Sequence, residues 1–164
     1  MTTTSALYAT SVAFDTRARF QELLRALLAR SRATLTMFDP DFALFGLGDS
    51  GIDAELRRYL AGGGVLRLAM HDEAHLRRHA PRLLNLLREY AHLAEARVTP
   101  KGLRQLTDSF AIGDGAHIVR RFHSDHARGA AAFDMPVETD LHRERFAAIW
   151  ADSVPGLQPT ITGL

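Results

Sequence analysis

The sequence contains no cysteine. This absence excludes a disulfide scaffold, a thiol nucleophile and every metal site built on thiolates. Lysine is almost as scarce, because Lys101 is the only lysine among the 20 basic side chains. A mechanism that needs a lysine amine therefore has one candidate.

Two further features are missing, namely a long apolar run and an excess of one charge. Nowhere do the roughly 18 consecutive apolar residues of a membrane-spanning helix occur, and residues 1–5 lack the basic start of a signal peptide. The 20 basic and 19 acidic side chains leave a formal charge of +1, so no global field attracts nucleic acid or an anionic membrane. We expect a cytoplasmic protein without a membrane span, whose nucleic-acid contacts, if any, are local.

What the chain does contain is typical of one globular domain. Its 164 residues are 46% hydrophobic and 24% charged, which is enough to bury one core. After Asp15, a predicted N-cap, residues 16–31 are predicted to form an amphipathic helix. Its apolar face consists of Phe20, Leu23, Leu24, Leu27 and Leu28.

Strands and helices then alternate along the chain. Predicted strands lie at 33–38, 65–70 and 96–99, with helices from about 52 to 60, capped by Ser50, and from Pro81 onward. Two strand-like runs, 106–112 and 116–122, follow and are joined at Gly113-Asp114-Gly115, a strong hairpin signal. An apolar run at 130–133 precedes a final helix at about 138–152, whose predicted shared face consists of Leu141, Arg145, Phe146, Ile149 and Trp150.

This order predicts an α/β fold with a mixed β-sheet flanked by helices: β-α-β-α-β-α-β, then a β-meander and a C-terminal helix. We expect an N-terminal arm or edge strand over residues 1–14 and the α/β domain over 15–153. Residues 154–164 are predicted to form a C-terminal tail, frayed beyond Pro155.

The hairpin carries a resemblance to a known family. Residues 106–115 read Leu-Thr-Asp-Ser-Phe-Ala-Ile-Gly-Asp-Gly and resemble the signature strand of the phospholipase D superfamily, which is His-x-Lys, four residues, then Asp. Thr107 stands at the His position and Ser109 at the Lys position. Asp114 keeps the Asp, and Gly115 keeps the glycine that usually follows it.

The surrounding sequence resembles the same family in part. The family continues with Gly-Ser-x-Asn, which the stretch Arg121-Phe122-His123-Ser124 does not match. The closing helix, with Phe146 and Trp150 four residues apart, and the order of elements over 15–153 are similar to one half of a phospholipase D. The chain therefore resembles the half-length bacterial domains of this superfamily.

The resemblance implies a fold whose catalytic residues are replaced. In the family, one histidine attacks phosphorus, a second protonates the leaving oxygen, and lysines hold the phosphate charge. Thr107 has no adjacent base and Ser109 carries no charge, while Lys101 lies six residues before Thr107. We therefore expect a non-catalytic binding or interaction domain with no catalytic residue, no cofactor and an unidentified ligand. Because the family uses two halves, we also expect a homodimer.

Six residues are candidates for a degenerate cleft that binds an anion. They are Thr107, Ser109, Asp114, Arg121, His123 and Ser124. For Asp114 the competing interpretation is that an Asp-Gly pair simply makes the hairpin turn. For His123 it is an ordinary surface histidine in a loop.

Two other classes of function remain open. A phosphoester hydrolase or transferase could use a rebuilt site of His71, Asp72 and His123 near strand ends. A nucleic-acid-binding module could use arginines such as Arg77 and Arg78, although the aromatic residues typical of single-strand binding are not interleaved with them.

Three histidines at four-residue spacing, His71, His75 and His79, could align on a helix and bind zinc. His71 is instead predicted to end a strand, and Arg77 and Arg78 would repel a cation. We therefore predict no metal site.

Overall fold

The computed structural model describes residues 10–157. Its strands are β1 (Thr10–Phe14), β2 (Thr34–Phe38), β3 (Val65–Met70), β4 (Ala94–Val98), β5 (Ser109–Gly113), β6 (His117–Arg121), β7 (Gly129–Phe133) and β8 (Val154–Pro155). Its α-helices are α1 (Arg17–Arg30), α2 (Ser50–Ala61), α3 (Ala74–His79), α4 (Pro81–Glu89) and α5 (Asp140–Asp152), and short 3₁₀ turns occupy Lys101–Leu103 and Pro136–Thr139.

The strands form one mixed sheet in the order β1-β7-β6-β5-β2-β3-β4-β8. Strands β2, β3 and β4 are parallel, as expected of strands joined by helical connections. β5, β6 and β7 form an antiparallel meander, and β5 joins it to β2 in antiparallel fashion. The predicted mixed α/β sheet is confirmed.

The two faces of the sheet are covered unequally. Helices α1 to α4 pack on one face and form the larger core. Helix α5 covers part of the other face and forms a smaller core. Because side chains alternate along a strand, Ala111 of β5 faces the larger core while Phe110 and Ile112 face α5.

The helix starts differ slightly from those predicted. α1 is capped by Thr16, whose hydroxyl accepts the N–H of Arg19 at 3.1 Å, and not by Asp15. α2 begins at Ser50, with Asp49 as its N-cap residue. The segment between β3 and β4 holds two helices, α3 and α4, because Pro81 lacks the N–H that would continue α3.

Of the five residues predicted to share one face of α5, Phe146, Ile149 and Trp150 are buried and the other two are not. Leu141 is 69% exposed and Arg145 is also exposed. Successive helix residues are rotated by about 100°, so Leu141 lies roughly 140° around the axis from the buried Phe146. His142, one turn before Phe146, faces the sheet instead, and its ring lies 5.0 Å from that of Phe110.

Both ends of the described chain pair with the sheet. β1 is the edge strand allowed by the prediction, and it pairs antiparallel with β7. The prediction that the chain frays beyond Pro155 is wrong for Gly156 and Leu157. Leu157 is buried and donates its N–H to the Glu73 carboxylate at 2.7 Å. Residues 1–9 and 158–164, where the rest of the predicted arm and tail fall, lie outside the described residues.

The hairpin between β5 and β6 turns where predicted. Asp114 and Gly115 both have positive φ, 55° and 62°, and the N–H of Ala116 donates to Gly113 across the turn. β5, however, begins at Ser109, so Thr107 precedes the strand. Within residues 10–157, no helix combines the length and apolar character needed to cross a bilayer.

Candidate functional site

Several strand ends meet at one edge of the sheet. β2 and β3 end there, at Phe38 and Met70, because they are parallel. The register pairs Ser109, the first residue of the antiparallel β5, with Arg121, the last residue of β6. Asp39 and His71 follow β2 and β3 directly. In α/β sheets, ligands bind in crevices outside the carboxyl ends of strands, so this edge is the candidate site.

A buried ion pair occupies this edge. Arg121 Nη2 donates to Asp39 Oδ1 at 2.6 Å, and the two side chains are 3% and 1% exposed. Arg121 Nε donates to the Ser109 hydroxyl at 3.0 Å. The guanidinium also lies 5.6 Å from the ring of Phe20 in α1, which places the pair on the larger-core face.

The remaining Arg121 contacts hold the loop after β6. Nη1 donates to the carbonyls of Ser124, at 2.6 Å, and His126, at 3.2 Å. Ser124 therefore joins the site through its backbone oxygen. Its N–H in turn donates to the carbonyl of Thr107 at 2.9 Å, which ties this loop to the segment before β5.

The Asp39 carboxyl is surrounded by donors. Its Oδ2 accepts the N–H groups of Asp41 at 3.1 Å and Phe42 at 2.7 Å. Burial raises the pKa of Asp39, while the Arg121 guanidinium, the Ser109 hydroxyl and the two N–H groups oppose that rise by stabilising the carboxylate. The result is an anion-binding arrangement whose anion is a side chain of the protein itself.

The other predicted site residues are dispersed. The exposed Thr107 contributes only its carbonyl to this network. Asp114 lies at the opposite end of β5 from Ser109, where its carboxylate accepts the N–H groups of Arg32, Ala33 and Thr34 at 2.8 to 3.2 Å. Its contacts therefore fasten the start of β2. The structure brings together Ser109, Arg121 and the Ser124 carbonyl, but not Asp114.

The histidines near strand ends belong to separate environments. His71 is buried, with Nδ1 2.6 Å from the Thr99 hydroxyl and Nε2 2.8 Å from the Leu106 carbonyl. His123 lies in the loop after β6, two residues beyond Arg121. Its Nδ1 accepts the Asp125 N–H at 3.0 Å.

Neither motif position is equipped for phosphoryl chemistry. Ser109 is 1% exposed, its hydroxyl accepts from Arg121 Nε, and the neighbouring Asp39 carboxylate is itself paired with Arg121. Lys101 lies in the 3₁₀ turn Lys101–Leu103. Among residues 10–157, no group of three or more His, Asp or Glu side chains is arranged to hold a metal ion.

Asp39 is the residue of this site that the sequence patterns did not single out. Its position could have indicated a role in the site, because Asp39 directly follows a buried strand at the carboxyl edge of the sheet. The sequence carries no signal for its partner, since Arg121 lies 82 residues later.

The fold is similar to that of solved phospholipase D family structures. Nuc from Salmonella typhimurium, a phospholipase D family member, is similar with a TM-score of 0.67 and 13% identity, over 90% of this chain and 98% of Nuc. NucT from Helicobacter pylori is similar with a TM-score of 0.63 and 9% identity, over 90% of this chain and 99% of NucT.

A further solved structure with this fold is TrmBL2, an archaeal chromatin protein with a novel mode of DNA binding. Its TM-score is 0.66 at 11% identity, over 87% of this chain and 52% of TrmBL2. No curated protein matches the sequence. Residues 16–158 match the model of a domain of unknown function, DUF7931, and the chain belongs to that family.

Proposed function

We propose that this chain is a non-catalytic phospholipase D-like binding domain in which the counterpart of the catalytic region is closed by an internal ion pair. The observation that carries the proposal is the contact of Arg121 with Asp39 and Ser109, the residue at the family's lysine position. A cation and an anion of the protein occupy the place where the family uses a lysine to hold phosphate.

This arrangement opposes phosphate binding. The buried Arg121 guanidinium already donates to one hydroxyl, two carbonyls and one carboxylate. A phosphate could reach it only by displacing Asp39 or by lying beside that carboxylate in a medium of low dielectric constant, and both are costly.

The arrangement also supplies no nucleophile. Among residues 10–157 the Thr107 hydroxyl is hydrogen-bonded to no base, and the Ser109 hydroxyl is engaged by Arg121. An unactivated hydroxyl attacks phosphorus poorly, because it must lose its proton as it reacts. The two positions therefore support a binding domain and not a phosphodiesterase.

A substrate panel tests the proposal. The purified chain is incubated with bis(p-nitrophenyl) phosphate, p-nitrophenyl phosphate and phosphatidylcholine vesicles, with EDTA, Mg²⁺ or Zn²⁺, beside a phospholipase D-family enzyme with an intact motif. We expect release no faster than in buffer. Turnover that is lost in His71→Ala or His123→Ala would overturn the proposal and favour the rebuilt hydrolase.

We further propose that the domain is a homodimer. Supporting this, Val137, in the 3₁₀ turn before α5, is 80% exposed and Leu141, in the first turn of α5, is 69% exposed. Apolar exposure of this kind marks interaction surfaces when it is contiguous. Sedimentation at micromolar concentration should give the mass of two chains, and Leu141→Lys should give one. A one-chain mass for the unaltered protein would remove this part of the proposal.

Nucleic acid is the alternative ligand, since TrmBL2 shares the fold and is described as binding DNA. The near-neutral net charge argues against it. We expect no binding of a mixed-sequence duplex or single strand at low salt. Affinity that falls steeply as salt rises would favour the nucleic-acid-binding module instead.

A further inference from the structure

A groove lies on the sheet face that α5 only partly covers. It encloses about 500 Å³ between α5 and strands β2, β3 and β5, which is within the size range of small-molecule sites. It lies on the opposite sheet face from Ser109 and extends to the opposite end of β5, where Asp114 is found. What binds there is therefore independent of whether the region around Arg121 is catalytic.

The floor of the groove changes in character from strand to strand. The register places Ile112, Thr36 and Arg67 side by side on β5, β2 and β3. Neighbouring strands are about 4.8 Å apart, so this row spans roughly 10 Å. A ligand lying across it meets an apolar side chain, then a hydroxyl, then a guanidinium.

Arg67 is available to an anion. Among residues 10–157 its side chain makes no hydrogen bond or ion pair, and its guanidinium carbon lies 5.4 Å from the centre of the Trp150 ring. Glu95, opposite it on β4, is already bonded to Arg97 at 2.7 Å. The Arg97 guanidinium carbon lies over the Trp150 ring, 4.2 Å from its centre, and Arg97 Nη1 donates to the Trp150 carbonyl at 3.0 Å, so Arg97 helps to fix this wall of the groove.

A second guanidinium comes from α5. Arg143 lines the groove beside Gly115, and its ion pair with Asp140 is long, at 3.6 Å, and mostly exposed. Such surface pairs are weak and exchange readily with other anions. Asp114, the carboxylate among the described lining residues, accepts three backbone N–H groups, which reduces its repulsion of an incoming anion.

The opposite wall is apolar. Phe146, Ala147 and Trp150 of α5 face the row of floor residues. Ala147 is small, which leaves room for a compact apolar body beside the two guanidiniums. An inorganic ion would leave this wall unused, and a neutral molecule would leave the arginines unused.

From these features we infer that the groove binds a small organic anion, a phosphate monoester or carboxylate on a compact apolar body, with Arg67 and Thr36 contacting the anionic group and Ile112 and Ala147 contacting the apolar body. Arginine suits both anions because its fork of N–H groups matches their oxygens.

The position of Trp150 provides the assay, because it is the only tryptophan in the sequence and it lines the groove. Intrinsic fluorescence is titrated with phenyl phosphate and with benzoate, which separate the two anion chemistries. Inorganic phosphate tests the anion alone, and benzyl alcohol tests the apolar body alone. Calorimetry repeats each titration without relying on Trp150.

We expect saturable binding of phenyl phosphate or benzoate that is weaker by about tenfold or more in Arg67→Gln, which removes a charged hydrogen-bond donor. Ala147→Phe, which fills the groove and keeps both charges, should weaken it similarly. Arg78→Gln, on an exposed part of α3, is the matched control and should bind like the unaltered chain. Circular dichroism melts establish that each variant is folded.

Three results would overturn the inference. The first is no binding of either organic anion up to about 10 mM, a concentration that detects even very weak sites. The second is equal affinity in Arg67→Gln, Ala147→Phe and the unaltered chain. The third is binding of inorganic phosphate or benzyl alcohol as tight as that of the organic anions.

Discussion

Arg121 reaches across one strand to bind Asp39. The sheet order is β6-β5-β2, so this 2.6 Å contact joins the ends of two strands that are not neighbours, passing over Ser109 of β5. The ion pair can therefore form only when β6, β5 and β2 have taken their places in the sheet.

Removing one partner of this pair should be strongly destabilising. Arg121→Met leaves the Asp39 carboxylate buried without its cation, and breaking a buried pair in this way costs about 3–5 kcal/mol. Urea unfolding at neutral pH measures the change in free energy of unfolding. Arg19→Met, which breaks the exposed pair of Arg19 with Glu22, should change it by less than about 0.5 kcal/mol.

The double variant Asp39→Asn with Arg121→Met separates the charge from the rest of the site. Asparagine keeps an oxygen for the N–H groups of Asp41 and Phe42 but carries no charge. The double variant should therefore be more stable than the sum of the two single effects predicts. Simple additivity would mean that the two side chains do not stabilise each other.

Placing a lysine at the family's lysine position, Ser109, should destabilise the fold. Ser109→Lys would place an ammonium group against the buried Arg121 guanidinium, and a second uncompensated cation there should cost on the order of 3 kcal/mol or more. Ser109→Ala is the control and removes only the hydroxyl that Arg121 Nε uses. Native-like stability of Ser109→Lys in urea unfolding would show that the region opens to admit a lysine.

Asp114 should matter for stability through its carboxylate. Its three backbone partners at the start of β2 make Asp114→Gly cost about 1–3 kcal/mol, although glycine accepts the positive φ of 55°. Asp114→Ala adds left-handed strain and should cost about 1 kcal/mol more. Asp114→Asn keeps one acceptor and tolerates the conformation, so it should be the mildest. Thermal and urea unfolding rank the three, and equal losses for glycine and asparagine would contradict the role given to the carboxylate.

Acidification should weaken the fold through two histidines. Burial lowers the pKa of His117, whose Nδ1 accepts the N–H of Asp134 at 2.9 Å and must be unprotonated to do so. Burial, aided by Arg120, also lowers the pKa of His142. Because the unfolded chain binds these protons more readily, the stabilisation is complete above pH 6.5 and is lost as the pH falls through the folded-state pKa values.

The measurement is urea unfolding at several pH values between about 7.5 and 5.5, a range above the titration of ordinary carboxylates. His117→Asn provides an oxygen near the Nδ1 position and does not titrate, so the decline should be shallower in that variant. A free energy of unfolding that stays flat or rises on acidification would contradict the assignment of these histidines as neutral.

Local patterns accounted for the features that depend on short stretches of chain. The leucine spacing of α1 and the Gly113-Asp114-Gly115 turn are set by neighbours in sequence, and both are found where predicted. The resemblance over residues 106–115 likewise identified the superfamily fold. Each of these sequence patterns lies within one helix or one pair of adjacent strands.

Features that depend on tertiary packing were not predictable. The partner of Arg121 is chosen by how β6 and β2 lie in the sheet, and no local pattern specifies it. The buried face of α5 was misjudged because hydrophobicity favours Leu141, whereas the position of the helix on the sheet selects His142. Asp114 was weighed as a turn residue, but its three contacts to β2 lie 80 to 82 residues away.

The pairing of β1 has a consequence for the order of events during synthesis. Thr10 lies opposite Phe133, and among the strands within residues 10–157 β1 pairs only with β7. β1 leaves the ribosome before β7 does, and its partner in the sheet is missing until β7 has emerged. Contacts so distant in sequence form slowly, so the nascent domain carries an unpaired strand through most of its translation, when such strands are most prone to wrong pairing.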